Sequence, residues 1–381
     1  MRRNWRSRPS FRLFSVLMAV YCIIPVVFYL SPQFRRILIF GAYIIWPFHD
    51  YTKPESYGLP HAKNFFINSV GEIRLGTWYI PPRSLWNQLE NVSKSREPEP
   101  WMFQDQRPVI IYFHGHANCR ACQYRIGLYK TLSQSNKLDA HVFTIDYRGF
   151  ADSTKVLPDR EGVLHDAIVT FDYVRKLLKN NESRILIWGH SLGTGVAMQL
   201  ADAFTELKRS PMGVVLEAPF NSLVEASMEW PLGRIFKYFP GSSIIFGTLR
   251  DNDETFFESE QLAASVRLPI LILHSTDDGL VPYRLGQKLL DRLRAMCPVQ
   301  PTFYKVNDTY GPGHRYIYTD PGMQTAVADF IRSLGKAELP IVEEKPTDKS
   351  SVSERKDGIA VPSAISKTDS TPVEHRNSEE L

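Results

Sequence analysis

The sequence predicts an α/β fold, a largely parallel sheet with helices on both faces. Three observations predict it. Apolar runs of four to eight residues recur through the chain as "VIIYF", "HVFTID", "RILIWG", "GVVLEA", "PILILH" and "TFYKV", and unbroken runs of that length belong to strands buried on both faces. Amphipathic segments lie between them, clearest in Val163, Leu164, Ala167, Ile168, Phe171, Val174, Leu177 and Leu178, which follow helical spacing. The 381 residues, 43% hydrophobic and 12% aromatic, suffice for one main core of roughly 250–300 residues with appendages.

Residues 1–12 form a basic N-terminal segment holding Arg2, Arg3, Arg6, Arg8 and Arg12 without an acid. Setting these five aside turns the formal charge of +4 into −1 for the remainder, so no basic face argues for nucleic acid as a partner. Residues 13–30, "LFSVLMAVYCIIPVVFYL", carry no charge and are just long enough to cross a hydrocarbon core. Pro25 would kink such a helix without forbidding it. The following "YLSPQF" is a poor cleavage site, which favours an uncleaved transmembrane helix over a signal peptide or a core helix. Five arginines before the span, against Arg35, Arg36 and Lys53 soon after it, favour a cytoplasmic N-terminus and a lumenal or extracellular remainder. Asn91, Asn181 and Asn307 then head glycosylation sequons.

Residues 31–63 read as juxtamembrane. Their apolar run at 37–46, "ILIFGAYIIW", is too short to span and suits an interfacial segment or a core helix. From about residue 64, "FFINS" and "EIRLGTWYI" read as two strands flanking a tight turn at Val70 and Gly71, and residues 84–107 as a polar loop. The globular domain is expected over 64–337. Residues 338–381, rich in Ser, Thr, Lys and Glu, read as a disordered tail. Four cysteines, Cys22, Cys119, Cys122 and Cys297, are too few for a disulfide framework.

The chemistry is concentrated in "IWGHSLGTGVA". An apolar strand precedes Ser191 and a helical pattern follows it, so the serine sits on a sharp strand-to-helix turn. Side chains at Gly189 and Gly193 would collide with the neighbouring strand and helix, which makes these two glycines the elbow around the serine. A Gly-rich turn before a helix is also ordinary structure, so partners must follow in the order Ser, acid, His. "PILILHSTDDGLVP" presents Asp277 and Asp278 at the C-terminal edge of the sheet, where ligands bind in open α/β sheets. Only His314 and His375 follow these acids, and His375 lies in the tail. Serine is too weak an acid to attack an ester unaided. A histidine that takes its proton, and an acid that fixes the imidazole tautomer, supply what it lacks. The developing oxyanion needs two backbone N–H donors, one from Leu192 and one from the loop "HGHAN", where the N–H of His116 can point into the site. A rival constellation is the H-x-H-x-x-C-x-x-C of His114, His116, Cys119 and Cys122, which would suit zinc or a redox pair at Cys119 and Cys122.

Together "FHGHAN", "DYRGFADS", "WGHSLGTGVA", "YFPG", "LILHSTDDGLVP" and "HRYIY" resemble the α/β-hydrolases, and more narrowly their membrane-anchored subfamily twelve, from the N-terminal anchor to about Gly335. "YFPG" and "HRYIY" are the narrower signals. The resemblance implies an α/β-hydrolase fold with a helical cap, here at about 220–268, and no metal or organic cofactor. It implies Ser191, Asp278 and His314 as the catalytic triad, with His116 and Leu192 as oxyanion donors, and it selects Asp278 over Asp277. Members of this subfamily are lysophosphatidylserine lipases that also cleave monoacylglycerols, so the implied partners are a lipid substrate and the bilayer, and the expected location is the endoplasmic reticulum membrane. Two departures stand out: Ala151 replaces a second glycine of "DYRGxG", and His116 stands where asparagine is common. The aromatic residues of the cap, Trp230, Phe236, Tyr238, Phe239, Phe246, Phe256 and Phe257, would bind an acyl chain and exclude water. Arg148, Arg234, Lys237 and Arg315 are candidate headgroup contacts. The alternatives are an acyl-protein thioesterase of the same fold and a catalytically silent scaffold.

Overall fold

The computed structural model describes residues 9–44, 49–69, 71–90, 95–251, 257–306, 311, 313–335 and 337–339. The expected tail beyond 339, the sequons at Asn91 and Asn307, Phe256 and Trp46 lie outside the described residues.

Eight strands form one sheet in the order β1-β2-β4-β3-β5-β6-β7-β8. β1 (Lys63–Asn68) and β2 (Arg74–Ile80) make the expected antiparallel hairpin, and β2 pairs antiparallel with β4 (His141–Ile145). From there β3 (Val109–Phe113), β5 (Ile185–His190), β6 (Gly213–Glu217), β7 (Ile270–Ser275) and β8 (Thr302–Val306) all run parallel with β4. All six apolar runs read from the sequence are strands. Their C-terminal ends therefore lie along one edge of the sheet.

Side chains on a strand alternate between its two faces, and β3 shows how both are covered. Val109, Ile111 and Phe113 join a core with α5 (Arg160–Leu177), α6 (Leu192–Leu207) and α10 (Tyr283–Met296). Ile110 and Tyr112 join a second core with α4 (Gln123–Gln134) and α11 (Pro321–Leu334). The periodicity around Val163 gives α5, which buries Val163, Ala167, Phe171 and Val174. β8 departs from the expectation of strands buried on both faces: Thr302 and Lys305 are exposed, because this strand ends the sheet. Residues 84–107 are less of a loop than expected. They contain α3 (Trp86–Leu89) and a short turn of helix at Pro100–Phe103, anchored by buried Leu85, Met102 and Phe103.

Between β6 and β7 rises the cap, made of α7 (Leu223–Glu229), α8 (Pro231–Phe236) and α9 (Ser242–Asp251). The N-terminal helix α1 (Pro9–Leu30) runs through Pro25 and packs on this cap. Ser31 separates it from α2 (Pro32–Phe40): its Oγ accepts the N–H of Phe34, and Gly41 closes the helix in the left-handed conformation. Arg35 is buried and donates to the carbonyls of Phe28 and Tyr29 at 2.9 and 2.7 Å, satisfying the open C-terminal end of α1. Of the juxtamembrane stretch, Phe40, Ala42 and Leu59 sit in the two cores.

Candidate active site

β5 passes into α6 through Ser191, whose backbone stands at φ 54° and ψ −120°. Such a conformation costs a non-glycine residue on the order of 1–3 kcal/mol and persists only where its surroundings fix it. Here the Ser191 N–H donates to the Glu217 carbonyl at 2.9 Å, and its own carbonyl accepts from the N–H and hydroxyl of Thr194 at 2.8 and 2.6 Å. A Cβ at Gly193 would lie 2.1 Å from the Phe113 carbonyl oxygen, and one at Gly189 would lie 2.3 Å from the Gly193 carbonyl oxygen. Both glycines are thus required by close approach, the first against β3 and the second against α6.

The two acids after β7 divide their tasks. Asp278 Oδ2 lies 2.7 Å from His314 Nδ1, while Asp278 Oδ1 accepts the N–H groups of Leu280 and Val281 at 2.9 and 2.8 Å. Asp277 instead accepts the Gly313 N–H at 3.0 Å and the Ser275 hydroxyl, so it shapes the loop that carries His314. Burial alone would raise the Asp278 carboxyl, but the His314 charge, followed by hydrogen bonds from His274 and His314, holds it well below the usual carboxylate range. His274 Nε2 is 3.0 Å from the Val281 carbonyl and 3.3 Å from Asp278 Oδ2. With Nδ1 of His314 donating to the carboxylate, Nε2 is the nitrogen left to accept a proton.

The loop after β3 is held from two sides. Arg125, fully buried, donates to the carbonyls of Cys119, Ala117 and Gly115 at 2.7, 2.9 and 3.3 Å. From the other side, the N–H groups of Ala117 and Asn118 donate to the carbonyls of Phe40 and Ile44, each at 2.9 Å, and the His116 ring donates from Nε2 to the Leu38 carbonyl at 3.0 Å. Ala117 and Asn118 both take left-handed backbones, and Gly115, against which Ser191 packs closely, borders the same cavity as His116 and Ser191. Leu192 opens α6, where the first N–H groups of a helix have no intrahelical acceptor. The rival metal constellation does not converge: His114 and His116 spend ring nitrogens on the carbonyls of Gly115 and Leu38, and among the described residues no three His, Cys, Asp or Glu side chains are placed to hold an ion.

Ser191, Leu192, His116 and His314 all border one cavity of about 380 Å³. Its remaining walls are mostly apolar, from the cap (Trp230, Phe236, Phe246) and from the N-terminal helices (Ile24, Phe28, Ile39). Trp230 meets the His116 ring edge-on at 4.9 Å. A strained serine, a histidine on a buried carboxylate and an apolar chamber can together transfer an acyl group while excluding water.

Residues 108–242 match the family model described as alpha/beta hydrolase fold. Lysophosphatidylserine lipase ABHD12 of Danio rerio is 32% identical over 333 residues, which span 86% of this chain and 84% of that protein. The chain belongs to the ABHD12 family. Protein ABHD12B of Homo sapiens is also 32% identical, over a shorter stretch of 288 residues that covers 74% of this chain and 75% of its own length. A solved alpha-beta hydrolase from Vibrio vulnificus superposes with a TM-score of 0.57 at 18% identity, over 80% of this chain and 94% of the other, and shares the fold.

In this ABHD12-family chain the seven residues singled out from the sequence occupy one place. Of the four candidate headgroup cations only Arg315 borders the cavity. Arg148 is committed to buried Asp166 at 2.7 Å, and Lys237 pairs with Glu229 at 2.5 Å; Arg234 donates to the Gly279 carbonyl at 3.1 Å. Tyr238, expected to line the cap interior, is 87% exposed. Sequence reasoning passed over Arg125, His190 and His274. His190, inside the serine motif itself, carried the one available signal; the other two act on nearby backbone carbonyls and, for His274, on the carboxylate of Asp278, contacts that residue types alone do not announce.

Proposed function

We propose that this chain hydrolyses the acyl esters of lysophospholipids, lysophosphatidylserine among them, and of monoacylglycerols. The single observation that carries the reading is the His314–Asp278 contact of 2.7 Å beside Ser191. In the first half-reaction Ser191 Oγ attacks the ester carbonyl and its proton passes to His314 Nε2. The N–H groups of Leu192 and His116 stabilise the oxyanion. The C–O bond of the ester then breaks, and His314 returns the proton to the departing glycerol alcohol. Water repeats the sequence on the acyl-enzyme and releases the fatty acid. Asp278 keeps the imidazole in the required tautomer, and no step calls for a metal.

The relatives named lysophosphatidylserine lipase support this substrate class over acyl-cysteine proteins. Helix α1, whose most apolar 18-residue stretch has a mean hydropathy of 2.4, is the anchor in this reading. The five N-terminal arginines stay cytoplasmic, the catalytic domain lies in the lumen of the endoplasmic reticulum, and Asn181, which is exposed, is an available glycosylation acceptor.

The test follows fatty-acid release from lysophosphatidylserine, a monoacylglycerol and an acyl-cysteine peptide by wild type and Ser191→Ala in membranes. Serine-dependent release from the two lipids supports the proposal. Release from the peptide alone moves the protein to the thioesterases, and no serine-dependent release from any of the three refutes the hydrolase mechanism.

A further inference from the structure

Helix α1 is more than a tether. Its first half is exposed, whereas Tyr21, Ile24, Pro25 and Phe28 turn toward the cap. Their spacing of three, four and seven residues puts them on one helical face. Tyr21 stacks on Phe236 at 5.2 Å and meets Phe239 edge-on at 5.4 Å, and Phe28 lies 6.0 Å from Phe246. Ile24, Pro25 and Phe28 are also walls of the cavity that holds Ser191.

Length then fixes depth. The 22 residues of α1 extend about 33 Å, close to the thickness of a hydrocarbon core, roughly 30 Å. A helix with so little to spare cannot lift Tyr21–Phe28 clear of the bilayer, so cap residues packed against that face lie at hydrocarbon depth as well. The cap surface agrees: Ile235, Tyr238 and Ile244 are 57%, 87% and 65% exposed, an apolar group beside the helix that water would disfavour.

We infer that Ile24, Pro25 and Phe28 of the membrane helix, facing Phe236 and Phe246 of the cap, form the acyl-chain subsite, filled by a fatty acyl chain directly from the bilayer. The inference rests on the ester-lipid reading of Ser191 and adds where the chain goes and which element binds it.

The test uses the full-length protein in phosphatidylcholine vesicles and reads the ratio of kcat/KM for 1-oleoylglycerol to that for p-nitrophenyl butyrate. Ile24→Trp, which fills the subsite, is expected to lower this ratio by about tenfold or more. Ile23→Trp places the same bulk on the lipid-facing side, where Ile23 is 57% exposed, and is expected to leave the ratio unchanged. An unchanged ratio in Ile24→Trp, or an equal fall in both variants, overturns the inference. A second measurement needs no turnover. In Ser191→Ala protein, a monoacylglycerol with a diazirine in its acyl chain should crosslink to Tyr21–Phe28, and excess unlabelled monoacylglycerol should suppress the adduct severalfold. Adducts indifferent to competitor would overturn the subsite. Wild type inactive on both esters, with competable crosslinking retained, would instead overturn the hydrolase reading and leave the subsite standing.

Discussion

His190 donates its Nε2 hydrogen to the backbone carbonyl of His314 at 2.9 Å. The residue before the candidate nucleophile thereby holds the loop that carries the candidate base, although the two are far apart in sequence. Burial, and next the charge of His314, push the His190 imidazole down to about 3, so this bond does not titrate in the working pH range. His190→Ala should lower kcat by about 10- to 100-fold with a smaller change in KM, since a shift of an ångström in a catalytic group is enough for such a loss. A fall in kcat of that size with an unchanged melting temperature would identify the positioning role. Equal losses of stability and activity would identify a merely structural one.

Arg315 follows the candidate base and borders the cavity, where its guanidinium stands 5.6 Å from the Tyr124 ring centre. A lysophosphatidylserine headgroup carries phosphate and carboxylate, and a monoacylglycerol carries neither. Arg315→Glu should therefore reduce kcat/KM for lysophosphatidylserine by about tenfold, the scale of one charge-assisted hydrogen bond, and alter monoacylglycerol hydrolysis by no more than about twofold. Parallel assays on the two lipids check it.

Glu217 is buried at the end of β6, with the Trp188 indole N–H donating to it at 2.8 Å. Burial raises its carboxyl to about 7, against the Trp188 hydrogen bond. A folded-state value above the unfolded one means that the native state binds the extra proton. Stability from this group is then full below about pH 4.5 and is lost as pH rises toward 7. Glu217→Gln, which keeps an acceptor for Trp188, should melt a few degrees higher than wild type at pH 8 and within about a degree of it at pH 4.5. Thermal unfolding at the two pH values settles the sign.

Ala151 occupies a left-handed turn at φ 41°, a conformation that costs an L residue about 1–2 kcal/mol. Glycine would relieve that strain while giving up a buried methyl, so Ala151→Gly should stay within about 1 kcal/mol of wild type. Ala151→Val adds a β-branched side chain where φ is positive and should cost about 2 kcal/mol or more. Equal melting temperatures for Val and Ala would contradict the strain.

The strand ends of the sheet were legible in sequence because buried strands leave unbroken apolar runs, and the order serine, acid, histidine placed the site on them. Choosing Asp278 over Asp277 needed the resemblance; the structure supplies the physical reason, a carboxylate aimed at His314 while its neighbour caps a loop. Ala151 was visible as an anomaly, and its positive φ explains why glycine is the simpler choice there. What stayed hidden was the use of helix α1. Its composition fits passage through lipid on every side, and nothing in an all-apolar run distinguishes Ile24, which faces a cavity, from Ile23, which does not. Arg125 was equally opaque, because a guanidinium that serves three backbone carbonyls of the loop just before it leaves no pattern of its own.

The bonds from Ala117, Asn118 and His116 to the carbonyls of Phe40, Ile44 and Leu38 bear on how such a protein can be distributed. Many lumenal domains are released by a single proteolytic cut above their stalk and go on working in circulation. A cut after residue 44 would here leave the rim of the catalytic chamber without its supports and strip Ile24, Pro25, Phe28, Leu38, Ile39 and Ile44 from its walls. This activity is therefore expected to travel with its membrane, confined to the compartment where the polypeptide was inserted.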